Sequence, residues 1–130
     1  MSKSKKAVLL VCAFIAVIMI GVIVLYTDTE KRIEAYNDFE FSNLDLSSVE
    51  DGTYTGSEDG GIVKASVEVK VVDHIITDVK IISHRNGRGK PAEVIANDVV
   101  AKNTIDVDVV SGATLSSSVI KMAIYNALTK

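Results

Sequence analysis

The stretch Asp108-Val-Val-Ser-Gly-Ala-Thr114-Leu-Ser-Ser-Ser118 is the part of this chain best suited to chemistry. Thr114, Ser116, Ser117 and Ser118 place hydroxyls where an apolar-periodic segment, and hence a helix, begins. Gly112 permits positive φ and a close backbone approach, and the small Ala113 leaves space beside it. The first N–H groups of a helix lack internal partners, and the helix dipole favours negative charge there. A phosphate suits such a place, and Thr114 could carry one as an ester beside those donors. The ordinary alternative is a helix cap, for which Ser and Thr are the usual residues. The whole string Asp-x-x-Ser/Thr-Gly-Ala-Thr is more specific than a cap. From average residue usage it should arise by chance in roughly one in several thousand chains of this length.

A second cluster, His84-Arg-Asn-Gly-Arg-Gly-Lys90, is basic and glycine-rich. Its plainest reading is a solvated loop in which Gly87 and Gly89 allow a tight turn. Nothing else resembles a reaction centre: there is no nucleotide-binding glycine fingerprint, haem motif or cysteine cluster. Cys12 is the only cysteine, so it forms no intrachain disulfide, and no metal site is expected. No catalytic residue is assigned.

The elements that position these clusters read as an α+β domain over residues 51–130. Gly52 to Gly56 has the composition of a short strand. Val63, Ala65, Val67, Val69 and Val71 alternate with polar residues, which predicts a half-buried strand. After a turn at Asp73-His74, Ile75, Thr77, Val79 and Ile81 are expected to face inward from a second strand, making an antiparallel hairpin. Pro91 suits the first turn of a helix carrying Ala92, Ile95 and Val99. Val119, Ile120, Ala123, Ile124, Ala127 and Leu128 form the apolar stripe of a last helix starting near Ser116. The expected architecture is a small antiparallel sheet with two main helices packed on it.

Before the domain comes a different kind of sequence. Residues 1–6 are a basic flank with Lys3, Lys5 and Lys6. Ala7 to Tyr26 is uncharged, and as a helix it would span roughly 30 Å, the hydrocarbon thickness of a bilayer. A single transmembrane anchor is expected, retained rather than cleaved. The basic flank places the N-terminus in the cytoplasm and the remainder outside it. Residues 27–50 are an acidic connector, in which Glu30 to Phe41 could form a short helix. Beyond the apolar run stand 17 acidic and 11 basic residues, a net charge of −6 that argues against nucleic-acid binding.

The Asp108 to Thr114 string resembles the motif of the FMN-binding domain family, found in the C subunit of sodium-pumping NADH:quinone reductase and the G subunit of the Rnf complex. Asp51-Gly-Thr-Tyr-Thr-Gly56, Gly60-Gly61-Ile62, His84-x-x-Gly87-x-Gly89 and the closing Val119 to Leu128 pattern are also similar to that family. The resemblance implies FMN held covalently through a phosphoester to Thr114, installed by a flavin transferase that consumes FAD. It implies Asp108, Ser111, Gly112, Ala113 and Thr114 as the transferase's recognition motif. Around the cofactor it implies Ser111, Gly112, Ala113, Leu115 and Ser116, with His84, Gly87 and Gly89 as further candidates. His84, Arg85, Arg88 and Lys90 could stabilise an anionic reduced flavin or contact its polar edge, and Tyr54 could pack on its ring or be an ordinary core or surface tyrosine. The expected role is an electron carrier exchanging with membrane or extracytoplasmic redox proteins, quinone-linked ones among them. Two other readings stay open: an extracytoplasmic FMN-dependent reductase of a small acceptor, and a non-redox anchored interaction or sensing module.

Overall fold

Val63, Ala65, Val67, Val69 and Val71 are buried while the residues between them reach toward water. That alternation makes the middle strand of the domain. In the computed structural model, which describes residues 1–85 and 89–129, three strands pair antiparallel in the order β1 (Gly52–Asp59), β2 (Lys64–Val72) and β3 (Ile75–Arg85). The helices are α1 (Lys3–Asn37), α2 (Ile95–Lys102) and α3 (Thr114–Thr129). α3 lies across β1 and β2, and α2 lies against β3. The uncovered side of the sheet carries Thr55, Ser57, Ser66, Glu68 and Lys70. The domain is therefore α+β, with one sheet face buried and one solvated, as antiparallel sheets allow.

The core is aliphatic. Val67, Val69, Val71, Val119, Ile120 and Ile124 are fully buried between sheet and α3. Each such side chain contributes about 1.5–3 kcal/mol on leaving water. Gly56 sets the closest approach: a Cβ there would collide with the Ala123 carbonyl oxygen and the Ala127 backbone. A strand glycine thus lets β1 and α3 touch.

β3 departs from simple alternation. Ile76 and Val79 are buried and Ile81 is partly so, whereas Ile75 and Thr77, expected inside, are exposed. Two register shifts against β2 explain this, one between Lys70 and Val71 and one between Ser66 and Val67. An extra residue at each reverses the facing of the residues beyond it. The Ile76 N–H finds its partner off the sheet, donating to Asn103 Oδ1 at 2.8 Å. Asn103 ends α2 in the left-handed conformation at φ 51°. The second shift turns His84 toward the helices.

α1 does not stop where its apolar run ends. It continues to Asn37, so Glu30 to Asn37 of the expected separate short helix are the last turns of a single helix, and Phe41 instead opens a short 3-10 turn, Phe41–Asn43. Between Val22 and Asn37 there is neither glycine nor proline to bend it. Thr27 and Thr29 return their hydroxyls to the carbonyls of Ile23 and Leu25 at 2.8 and 2.9 Å. The final turns pack on the domain through Ile33 and Tyr36. Tyr36 donates to Glu58 at 3.1 Å, and Arg32 reaches the Asp59 carbonyl at 3.4 Å. Glu58 also accepts from Asn126 of α3 at 2.9 Å, so three elements meet at one carboxylate. Past α1, Phe39 and Phe41 wrap back onto Tyr125, with ring centroids 4.8 and 6.2 Å away. No residue of α1 is fully buried, and the helix is long and apolar enough to cross a membrane.

Candidate functional site

The start of α3 is held by Ser117. Its hydroxyl donates to the Ala113 carbonyl at 2.7 Å and accepts the Val110 N–H at 2.9 Å. The Ser117 N–H makes the first helical bond, also to Ala113, at 2.9 Å. Ala113 is therefore the cap, and Thr114, Leu115 and Ser116 supply the first-turn N–H groups that have no carbonyl four residues back. Gly112 has φ 80°, and an added Cβ would meet nothing within 4 Å. Backbone conformation, rather than lack of room, selects glycine there.

Beside this turn lies an open cleft of about 400 Å³, within the size range of small-molecule sites. Gly112, Ala113, Thr114, Leu115 and Ser116 form one wall, with Gly89 next to them. Ile62 and Val63 from the β1–β2 connection, and Thr29 and Ile33 from α1, form the other. One end offers a hydroxyl and backbone donors without helical partners, while the far wall is largely aliphatic. That division fits FMN, whose phosphate needs donors and whose ring system needs apolar contact. No acidic, basic or thiol side chain lines the cleft among the described residues.

Five of the motif residues expected around a cofactor thus share one wall, and Gly89 joins them. Ser111 is exposed and sits just outside the lining. Gly87 and Arg88 lie outside the described residues. His84 is placed differently from a ring-contacting residue. Its side chain is 2% accessible, and it sits behind the wall. Nε2 is 3.1 Å from Ser116 Oγ, and Nδ1 is 3.4 Å from Glu93 Oε2. Glu93, His84 and Ser116 therefore form a chain leading from the surface to the first turn of α3. Tyr54 is remote: its hydroxyl donates to the Glu50 carbonyl at 2.6 Å, near Leu128 at the opposite end of α3.

Sequence reasoning missed Thr29, Ile33, Glu93 and Lys121. Lys121 is buried, donates to the Val107 carbonyl at 2.7 Å and lies 4.7 Å over the Phe41 ring. It pins the segment that leads into the threonine motif. Burial pushes its pKa down, and the carboxylates of Asp106 and Asp108 oppose that shift. A lysine at helical spacing gave no sign that it would turn inward. Among the described residues, no three His, Cys, Asp or Glu side chains are grouped to hold a metal ion.

The family model for the FMN-binding domain matches residues 60–129, more than half of the chain. No curated protein matches the chain. The matched segment includes the β1–β2 connection, β2, β3, both covering helices and every wall of the cleft except the one from α1. A flavin-binding chain is what this match and the cleft's two-part chemistry describe together, and the protein belongs to the FMN-binding domain family.

Proposed function

We propose that the protein is a membrane-anchored electron carrier whose FMN is held as a phosphoester of Thr114, with the domain outside the cytoplasm. The observation that carries this reading is the position of the Thr114 hydroxyl. It stands at the first residue of α3, on the cleft wall, beside N–H groups without helical partners. An esterified phosphate there carries negative charge, and the donors and helix dipole offset it. In the attachment step Thr114 Oγ forms a bond to the FMN phosphorus of FAD. The bond to the AMP oxygen breaks, AMP leaves, and the hydroxyl proton passes to solvent through the flavin transferase.

Bound flavin supplies one- or two-electron chemistry, while the chain supplies attachment, placement and electrostatics. A described lining made of apolar, glycine and hydroxyl residues favours a carrier over an enzyme that moves protons on a substrate. Covalent attachment keeps the cofactor with the protein where a dissociated flavin would be lost. Lys3, Lys5 and Lys6 before the apolar run support a cytoplasmic N-terminus. Redox partners in the membrane or outside it, quinone-linked ones included, suit the same placement.

Intact-mass measurement after co-expression with a flavin transferase tests the attachment. The wild type should gain FMN less one water, and Thr114→Ala should gain nothing. An unmodified wild type in the presence of active transferase and FAD would remove the covalent reading. A modified Thr114→Ala protein would move the ester to another hydroxyl.

A further inference from the structure

The continuity of α1 locates the cleft relative to lipid. The apolar run ends at Tyr26, and two residues farther along the same helix, Thr29 and Ile33, line the cleft. At the rise of an α-helix they lie about 4.5 and 10 Å beyond the end of the run. The headgroup layer adds about 5–8 Å on each side of the hydrocarbon core. The cleft wall built by α1 therefore begins within that layer at Thr29 and ends just beyond it at Ile33.

The joint between anchor and domain transmits this placement. No glycine or proline interrupts Val22 to Asn37, and the last turns are held by Ile33 packing and by the Tyr36–Glu58 and Arg32–Asp59 hydrogen bonds. The same end of the sheet carries the row Asp59, Lys64 and Arg85 at its paired strand ends. Lys64 is paired with Asp59 at 3.3 Å, Arg85 stands opposite Lys64 and is exposed, and the exposed Lys90 follows the cleft residue Gly89 in the chain. Ile62 is half exposed on the cleft rim. An exposed apolar side chain that shares the cleft rim with Thr29 and Ile33 of the anchor helix, at a sheet end that also carries the exposed Arg85, suits an interface of headgroups above an apolar interior.

We infer that the cleft-bearing end of the domain rests on the bilayer surface, with Ile62 in contact with lipid, so that the cleft opens at headgroup depth. The inference depends on the anchoring proposed above, and it adds a second, peripheral contact with the membrane. An electron partner would then approach along the lipid surface and not through bulk water.

Ile75 provides a matched control. It is also an isoleucine, also 50% exposed, and lies at the opposite end of the sheet. In the full-length chain with Cys12→Ser, spin labels are placed at Val17→Cys, Ile62→Cys or Ile75→Cys, and each protein is reconstituted in nanodiscs containing phosphatidylglycerol. Collision with dissolved oxygen and with a water-soluble nickel chelate reports depth. The label at 17 should meet oxygen and exclude nickel, and that at 75 should meet nickel freely. The label at 62 should show several-fold less nickel access than that at 75, and the protection should vanish when amphipol replaces lipid. Equal nickel access at 62 and 75, with 17 still in lipid, overturns the inference and leaves the anchor intact. Nickel access at 17 overturns the anchor itself. Protection at 62 that persists in amphipol assigns the surface to a protein contact and also overturns the inference.

Discussion

The two halves of α3 are both buried, yet they are built differently. Val119, Ile120, Ala123, Ile124, Ala127 and Leu128 lie against the sheet as an apolar stripe. Leu115, Ser116, Ser117 and Ser118 are buried as well, but three of the four are serines. Ser is a weak helix former, because its hydroxyl competes for backbone groups. Burying that hydroxyl without a partner costs free energy. The first turn offsets these costs with specific bonds: Ser117 to Val110 and Ala113, and Ser116 to His84. One side chain suffices to cap a helix, so engaging several exceeds what capping needs. The comparison separates burial that stabilises from burial that aims: the apolar half holds the fold, and the polar half fixes where Thr114 and its neighbouring N–H groups point.

Substitutions in the two halves should therefore separate stability from flavin loading. The largest stability effect is expected for Ile124→Ala, which removes a fully buried side chain. Denaturant unfolding should show a loss of about 2–5 kcal/mol, while the folded fraction still acquires FMN by mass. A folded Ile124→Ala protein that fails to load would erase the distinction. Next comes Ser117→Ala, which strips the Val110 N–H of its acceptor. Its expected cost is about 1–3 kcal/mol, and here loading should slow under conditions where the protein remains folded. Wild-type loading kinetics for Ser117→Ala would mean that the turn's bonds are only structural.

A smaller cost, about 1–2 kcal/mol, is expected for Gly112→Ala, since φ 80° is unfavourable for a residue with a Cβ although space is open. Its loading should fall more than that of Ile124→Ala despite the milder destabilisation. The smallest effect belongs to Tyr36 at the outer edge of the apolar half, where Glu58 joins α1 to Asn126. Burial and then the Glu58 carboxylate push the Tyr36 pKa up from 10.0 to about 12. Its folded pKa lies above the unfolded one, so its contribution is complete below pH 10.0 and is lost as pH rises through about 12. Tyr36→Phe should flatten that part of the alkaline stability profile while leaving loading at pH 7 unchanged. An identical alkaline profile in the variant would assign the transition to other groups.

Much of this was legible because it depends on local rules. The alternation of Val63 to Val71 specifies a strand buried on one face wherever it sits in the chain. The stripe from Val119 to Leu128 specifies a helix with one buried side. The unusual spacing of Asp108, Ser111, Gly112, Ala113 and Thr114 singles out the candidate site without reference to any fold. β3 was misread because a bulge is a relation between two strands, invisible in the periodicity of one. His84 illustrates the result: composition suggested a solvated basic loop, and the register shift carried its ring inward to Ser116 and Glu93.

The amino-acid order by itself determined the apolar run, the sheet-forming pattern, the last helix and the hydroxyl at its mouth, because propensity and hydrophobic period act over a few neighbouring residues. Only the tertiary structure decided that Thr29 and Ile33 of α1 share a cleft with Thr114, that Lys121 turns inward to Val107, and that Tyr54 lies at the far end. These are contacts between residues distant in the chain. They are selected by how whole faces pack and by which buried polar groups then find partners, and neither condition is written in any single stretch of sequence.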